Sequence, residues 1–129
     1  MDSDQALNLA YNPRLVVADH QEVMARWRIK SAQARQDSIC LLDIPYGPSA
    51  LEALDIFPAK ESYAPTLLFI HGGYWRGSDK SEYSFIGKAL QDAGITAVLI
   101  NYAFVPKVSL PTIIEQITNA IIWVYQHIE

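Results

Sequence analysis

The chain has one cysteine, Cys40, so no internal disulfide can form. It has no basic stripe. Ten Lys and Arg stand against 14 Asp and Glu, giving a formal net charge of −4 and a pI of about 5.3. Such a surface does not suit a phosphate backbone, so no nucleic-acid partner is expected. No apolar run is long enough to span a bilayer. The opening Met1-Asp2-Ser3-Asp4-Gln5 lacks the basic and apolar regions of a secretory leader. A cytoplasmic protein with no membrane partner is the expectation. His20, His71 and His127 show no ligand spacing, which argues against a metal site. Repeats and low-complexity tracts are absent too. What remains is 129 residues, 50% hydrophobic and 19% charged. That is one ordinary domain, able to bury about two-thirds of its unfolded surface.

One stretch organises the rest. Thr66-Leu67-Leu68-Phe69-Ile70 is a short apolar run without alternation, and it reads as a strand buried on both faces. It ends in His71-Gly72-Gly73-Tyr74-Trp75. Two adjacent glycines remove every Cβ at that turn, so the backbone can take positive φ and approach a ligand closely. A strand that stops at a bare, amide-rich turn leaves N–H groups free, and an oxyanion hole is made of such groups. The plainer reading is a strand-to-helix turn that binds nothing.

Around this stretch the pattern is α/β. Residues 1–18 look weakly structured, broken at Asn12-Pro13. Asp19 and Glu22 suit a capping box opening a helix to about Gln36, with Val23, Trp27 and Ala34 near one face. Ile39–Ile44 is a strand, ended by Pro45-Tyr46-Gly47-Pro48, and Ala53–Phe57 is a second strand with Leu54 and Ile56 on one face. The short gap predicts an antiparallel pair. After the glycine turn, Asp79 and Glu82 suit the start of a helix carrying Ile86, Ala89, Leu90 and Ala93, closed by Gly94. Ile95–Ile100 is a further doubly buried strand, so strand, helix and strand form a parallel βαβ unit. Pro111 suits the first position of a last helix whose broad apolar stripe runs to Glu129, with Trp123 and Tyr125 expected in the core. A helix with so apolar a face normally returns to another strand. The expectation is therefore a single, incomplete domain: residues 1–36 as an N-terminal segment and helix, and 37–129 as the start of a core sheet.

These residues resemble a known family. His71-Gly72-Gly73-Tyr74-Trp75 is similar to the His-Gly-Gly-x-Trp motif of α/β-hydrolase esterases, in particular the kynurenine formamidase (arylformamidase) branch. Tyr11-Asn12-Pro13-Arg14, Tyr46-Gly47-Pro48, Leu54-Asp55-Ile56-Phe57-Pro58, Asp79-Lys80, Asn101-Tyr102 with Pro106, and the last helix also resemble that branch. Phe104 stands where the branch usually has Leu. The likeness covers nearly all of this chain but only the first half of a family member. It implies the N-terminal part of an α/β-hydrolase sheet, with antiparallel first strands and then a parallel βαβ. It also implies a Ser-His-Asp/Glu triad acting on a small ester or amide, best an N-formylkynurenine-type arylformamide, with no cofactor. The nucleophile belongs in a Gly-x-Ser-x-Gly elbow, and Ser49, Ser78 and Ser109 lack the flanking glycines. This chain thus offers no nucleophile, acid or base, and is expected to be inactive alone.

What the resemblance does place here is the oxyanion loop: backbone N–H groups of Gly72, Gly73 and Tyr74 as donors, with His71, Trp75 and Tyr102 as support. His71 is read as a brace rather than a base, and Trp75 as packing under the loop. Cys40, in an apolar strand with no adjacent histidine, reads as a buried structural thiol. The rival class is a non-catalytic fragment or interaction module that keeps only the scaffold. A phosphate-binding loop fails on pattern, since there is no Gly-x-x-x-x-Gly-Lys-Ser/Thr and no third glycine of a dinucleotide fingerprint.

Overall fold

The computed structural model describes residues 2–128. Its centre is one mixed sheet of four strands: β1 (Leu41–Pro45), β2 (Ala53–Phe57), β3 (Thr66–Ile70) and β4 (Thr96–Ile100), in the spatial order β1-β2-β4-β3. β1 and β2 pair antiparallel, as the short connection requires, and β2 runs antiparallel to β4. β3 and β4 are parallel, in register from Thr66 opposite Thr96 to Ile70 opposite Ile100. Between them lie a 3-10 turn (Lys80–Tyr83) and helix α4 (Ser84–Asp92), which complete the βαβ unit. Gly94 closes α4 at φ +79°, and the Gly94 and Ile95 N–H groups cap the carbonyls of Gln91 and Leu90.

Two apolar clusters cover the two faces of the sheet. On one, Leu54, Ile56, Val98 and Ile100 pack against Ala120 and Val124 of helix α5 (Leu110–His127). On the other, Phe57, Ala97 and Leu99 meet Leu90 of α4. This explains a departure from the sequence pattern. β2 reads as half-buried by alternation, yet Leu54, Asp55, Ile56 and Phe57 are all buried, because the strand is flanked on both sides and covered on both faces. The opposite correction applies to β3. Its continuous apolar run predicts double burial, but it is the edge of the sheet, and Leu67 and Ile70 are exposed.

α5 is likewise covered on one side alone. Ile113, Gln116, Ala120 and Val124 are buried, while Ile114, Ile121 and Tyr125 are exposed, Tyr125 at 89% rather than in the core. Ser109 caps this helix and Pro111 is its second residue. The helix stops at His127, with Ile128 an extended C-cap, short of the expected end at Glu129, which itself lies outside the described residues.

The N-terminal stretch is more ordered than its composition suggests. It forms α1 (Ser3–Tyr11) and a single turn, α2 (Pro13–Val16). Asp2 caps the first through the Gln5 N–H (2.7 Å), and Asn12 caps the second through the Arg14 N–H (3.2 Å). So Asn12-Pro13 separates two helices rather than marking a coil. Helix α3 (His20–Asp37) starts without a side-chain cap at Asp19. Polar anchors hold it on the segment after the glycine turn. Ser31 Oγ donates to the Glu82 carbonyl (2.8 Å), Arg35 to the Ser81 carbonyl (2.6 Å) and Arg28 to the Glu82 carboxylate (2.8 Å). A helix docked this way needs only a weak apolar stripe. Cys40 lies just before β1, half-buried, its Sγ 3.8 Å from the Arg35 carbonyl; burial pushes its thiol pKa up.

Candidate active site

At its carboxyl end β3 delivers the chain into His71-Gly72-Gly73-Tyr74-Trp75. The turn here is tighter than two glycines alone would give. Gly73 sits at φ +126°, but Tyr74 (+56°) and Trp75 (+59°) also lie in the left-handed region. The Arg76 N–H closes on the Gly73 carbonyl at 3.1 Å, with those two residues between. Left-handed geometry costs a non-glycine residue about 1–3 kcal/mol, so the surrounding structure must hold it. Two restraints do so. The Val105 N–H donates to the Trp75 carbonyl (2.9 Å), and the Tyr102 hydroxyl donates to the His71 carbonyl (2.6 Å).

His71 is 2% exposed, its ring stacked on Tyr102 (centroids 4.6 Å, planes 15° apart) with Tyr83 beyond at 6.1 Å. Its Nδ1 lies 2.7 Å from the Gly72 carbonyl. A carbonyl only accepts, so Nδ1 carries the hydrogen. Because the peptide unit is planar and trans, fixing the Gly72 C=O fixes the Gly73 N–H on the opposite side. His71 thus orients an amide, and its Nε2 is left buried without a partner among the described residues.

The amides themselves are free. Among the described residues, the N–H groups of Gly72, Gly73 and Tyr74 donate to no protein acceptor, and all three residues are exposed. The two glycines differ. At Gly73 a Cβ would run into the Gly77 carbonyl, whereas at Gly72 it would meet nothing within 4 Å. The fold therefore requires glycine at 73 and leaves Gly72 bare with no packing reason.

A cavity of about 440 Å³ opens beside Gly72 and Tyr74, walled also by Ile70, His71, Trp75 and Tyr102 and by Ile113, Ile114 and Ile117 of α5. Trp75 is 48% exposed and lines this cavity instead of packing beneath the loop. It lies where open α/β sheets bind ligands, at the carboxyl end of parallel strands.

The loop exit is pinned by Asp79, Lys80 and Asn101, which the sequence marked as a helix start and as family-like positions but not as a connected network. Asp79 caps the 3-10 turn through the Ser81 N–H (2.8 Å) and accepts from Asn101 Nδ2 (2.9 Å). Burial opposes ionisation of Asp79, but hydrogen bonds from Ser81 and Asn101 and the Lys80 charge outweigh it and hold the carboxyl below its usual range. The Lys80 N–H donates to Asn101 Oδ1 (2.8 Å), and its ammonium reaches Asp55 (2.7 Å) and Asp43 (2.6 Å). Desolvation lowers the Lys80 pKa, yet hydrogen bonds and charge from Asp43 and Asp55 prevail and raise it.

A four-stranded mixed sheet with an amide-rich turn at the end of its edge parallel strand is the front of an α/β-hydrolase fold. The comparisons with known proteins agree. The BD-FAE family model matches residues 54–129, more than half of the chain. The chain belongs to the BD-FAE family. Kynurenine formamidase of Danio rerio is 32% identical over 102 residues, which are 76% of this chain and 35% of that protein. Esterase LipQ of Mycobacterium tuberculosis is 32% identical over 94 residues, 67% of this chain and 22% of that one. A crystal structure of a thioesterase candidate from Silicibacter sp. TM1040 superposes with a TM-score of 0.80 at 24% identity. It shows the shared fold, covering 95% of this chain and 45% of that one. The chain spans about a third of the length of the curated formamidases it matches.

Proposed function

We propose that this chain supplies the oxyanion loop of a serine hydrolase acting on esters or amides, with an arylformamide of the N-formylkynurenine type as the preferred substrate. One observation carries the reading: among the described residues, three exposed amides without protein acceptors, at Gly72, Gly73 and Tyr74, in the turn that ends β3, with Gly72 and Tyr74 lining the cavity there. As a nucleophile attacks the carbonyl carbon, its oxygen gains negative charge. Donors fixed beforehand stabilise that charge without reorganising, and losing one typically costs about 100- to 1,000-fold in rate. The N–H after the nucleophile would complete the hole, and that nucleophile, its base and its acid would come from sequence outside these 129 residues. The exposed edge of β3 is where a nucleophile-bearing parallel strand would pair. No cofactor enters this chemistry.

The reading frame tests it. A Gly-x-Ser-x-Gly is expected within about thirty codons after Glu129, and the longer protein is expected to hydrolyse an arylformamide that residues 1–129 leave intact. An extended frame without that elbow, or nitrophenyl ester turnover by the 129-residue chain, overturns the assignment. The same open edge favours the rival, a non-catalytic interaction module. Purified residues 1–129 that stay monomeric and melt cooperatively would support the module; a sticky, poorly folded fragment would support the enzyme part.

A further inference from the structure

Residues 2–17 form an arm with little hold on the rest of the molecule. No residue of α1 or α2 is buried. Among the described residues, the hydrogen bonds of residues 2–16 stay within the arm. The Val17 carbonyl joins it to α3, receiving the His20 N–H (3.2 Å).

The arm is nonetheless patterned for packing. At helical spacing Ala6, Leu7, Leu9, Ala10 and Tyr11 fall on one side of α1, and Asp4, Gln5 and Asn8 on the other. Leu7, Leu9 and Tyr11 are exposed, and so are Leu15, Val16 and Val17 just beyond. Scattered apolar residues on a surface need no explanation, but this many in one short segment make a patch. Length points the same way. α1 has nine residues, and helices shorter than about 12–15 residues owe most of their stability to a packed apolar face.

The position of the arm says where its partner lies. Pro13, Arg14 and Val17 line one cavity of about 920 Å³ with Gly73 and Ser78. The arm therefore stands beside the glycine turn, at the carboxyl end of the parallel strands. The superposition on the thioesterase candidate covers 95% of this chain, leaving fewer residues unmatched than the arm contains. The arm thus follows the fold of a longer protein, although nothing buried in these 129 residues fixes it there.

We infer that residues 3–17 are a clasp. Their apolar side packs against this protein's own continuation beyond Glu129, where that chain reaches the carboxyl edge of the sheet next to the Gly73 turn. The clasp rests on one part of the hydrolase reading, that the reading frame continues; it needs no serine elbow.

Hydrogen exchange and thermal melts of the longer protein, with the 129-residue chain beside it, test this. In the longer protein the amides of residues 7–11 are expected to exchange about 100-fold or more slowly than in an unfolded chain. In the 129-residue chain they are expected to stay within about tenfold of the unfolded rate. Leu7→Ser combined with Tyr11→Ser should lower Tm of the longer protein by about 5 °C or more, and that of the 129-residue chain by no more than about 2 °C. Arm amides near the unfolded rate in the longer protein, a double variant of it that melts like its parent, or a frame that stops at Glu129 overturns the inference. So does protection in the 129-residue chain that grows with its concentration, which assigns the patch to a second copy. A protected arm in a longer protein without the Gly-x-Ser-x-Gly removes the hydrolase reading and leaves the clasp standing. An elbow with an unprotected arm removes the clasp alone.

Discussion

Replacing Lys80 by methionine isolates the costliest electrostatic feature of the molecule. Lys80 is 4% exposed and its ammonium lies 2.7 Å from Asp55, itself 1% exposed. Without that ammonium, Asp55 keeps the Asp43 N–H at 2.8 Å and no counter-charge. Removing one partner of a buried pair costs about 3–5 kcal/mol. The second arm, to Asp43, adds little because that carboxylate is 79% exposed. For a domain of this length each kcal/mol moves Tm by about 3–5 °C, so Lys80→Met should melt about 10–20 °C lower at neutral pH. Circular dichroism melts measure this directly. Adding Asp55→Leu should recover most of the loss, since an apolar pair of similar volume generally does no worse than a buried ion pair. A single variant within about 3 °C of the parent, or a double variant no more stable than the single, would refute the claim that the two charges are desolvated and coupled.

Three further outcomes are expected. The raised Lys80 pKa contributes stability that is complete below about 10.4 and lost as pH rises through the folded value; the lowered Asp79 pKa contributes stability complete above about 3.9 and lost as pH falls through its folded value. Tm should therefore hold between those limits as far as these groups act, and Asp79→Asn should remove part of the acid-side fall in a pH series of melts. Gly73→Ala, facing the Gly77 carbonyl at φ +126°, should lower stability by about 1–3 kcal/mol or more, while Gly72→Ala stays within about 0.5 kcal/mol and, under the proposed function, cuts the hydrolysis rate of the longer protein. Equal stability loss at both positions would count against the geometry of the turn. Tyr102→Phe, leaving the His71 carbonyl without its donor, should cost about 1–3 kcal/mol in a denaturant titration.

Much of the fold was written locally. The Ala53–Phe57 pairing, the parallel βαβ unit and the Gly94 stop follow from spacing and turn chemistry, and the structure contains all of them. Burial was read less well, because it depends on what lies across the sheet. β3 and β4 have the same apolar texture, yet one is the edge and the other the centre. Asp55 looked like the solvent side of an alternating strand because its partner, Lys80, is distant in sequence. The glycine turn was visible, but the left-handed Tyr74 and Trp75 were not, since neither side chain favours that geometry and it arises from bonds to Tyr102 and Val105. Tyr83, which stacks toward His71, carried no signal in the pattern around it.

The placement of the turn follows from the strand beside it. β4 is the most deeply buried element, so the residues just past its end are the best-fixed points at that edge of the sheet. Successive residues in extended chain point to opposite sides, which lets Asn101 and Tyr102 divide the work. Tyr102 holds the loop's entrance through the His71 carbonyl, and Asn101 holds its exit through the Lys80 N–H and the Asp79 carboxylate. Asn101 is fixed in turn, its N–H on the Ala53 carbonyl and its own carbonyl receiving the Tyr46 hydroxyl. Strain at Tyr74 and Trp75 is therefore borne by a loop clamped at both ends from one dipeptide. A loop restrained in this way has little freedom to fold back, and among the described residues its three amides at Gly72, Gly73 and Tyr74 stay off every protein acceptor.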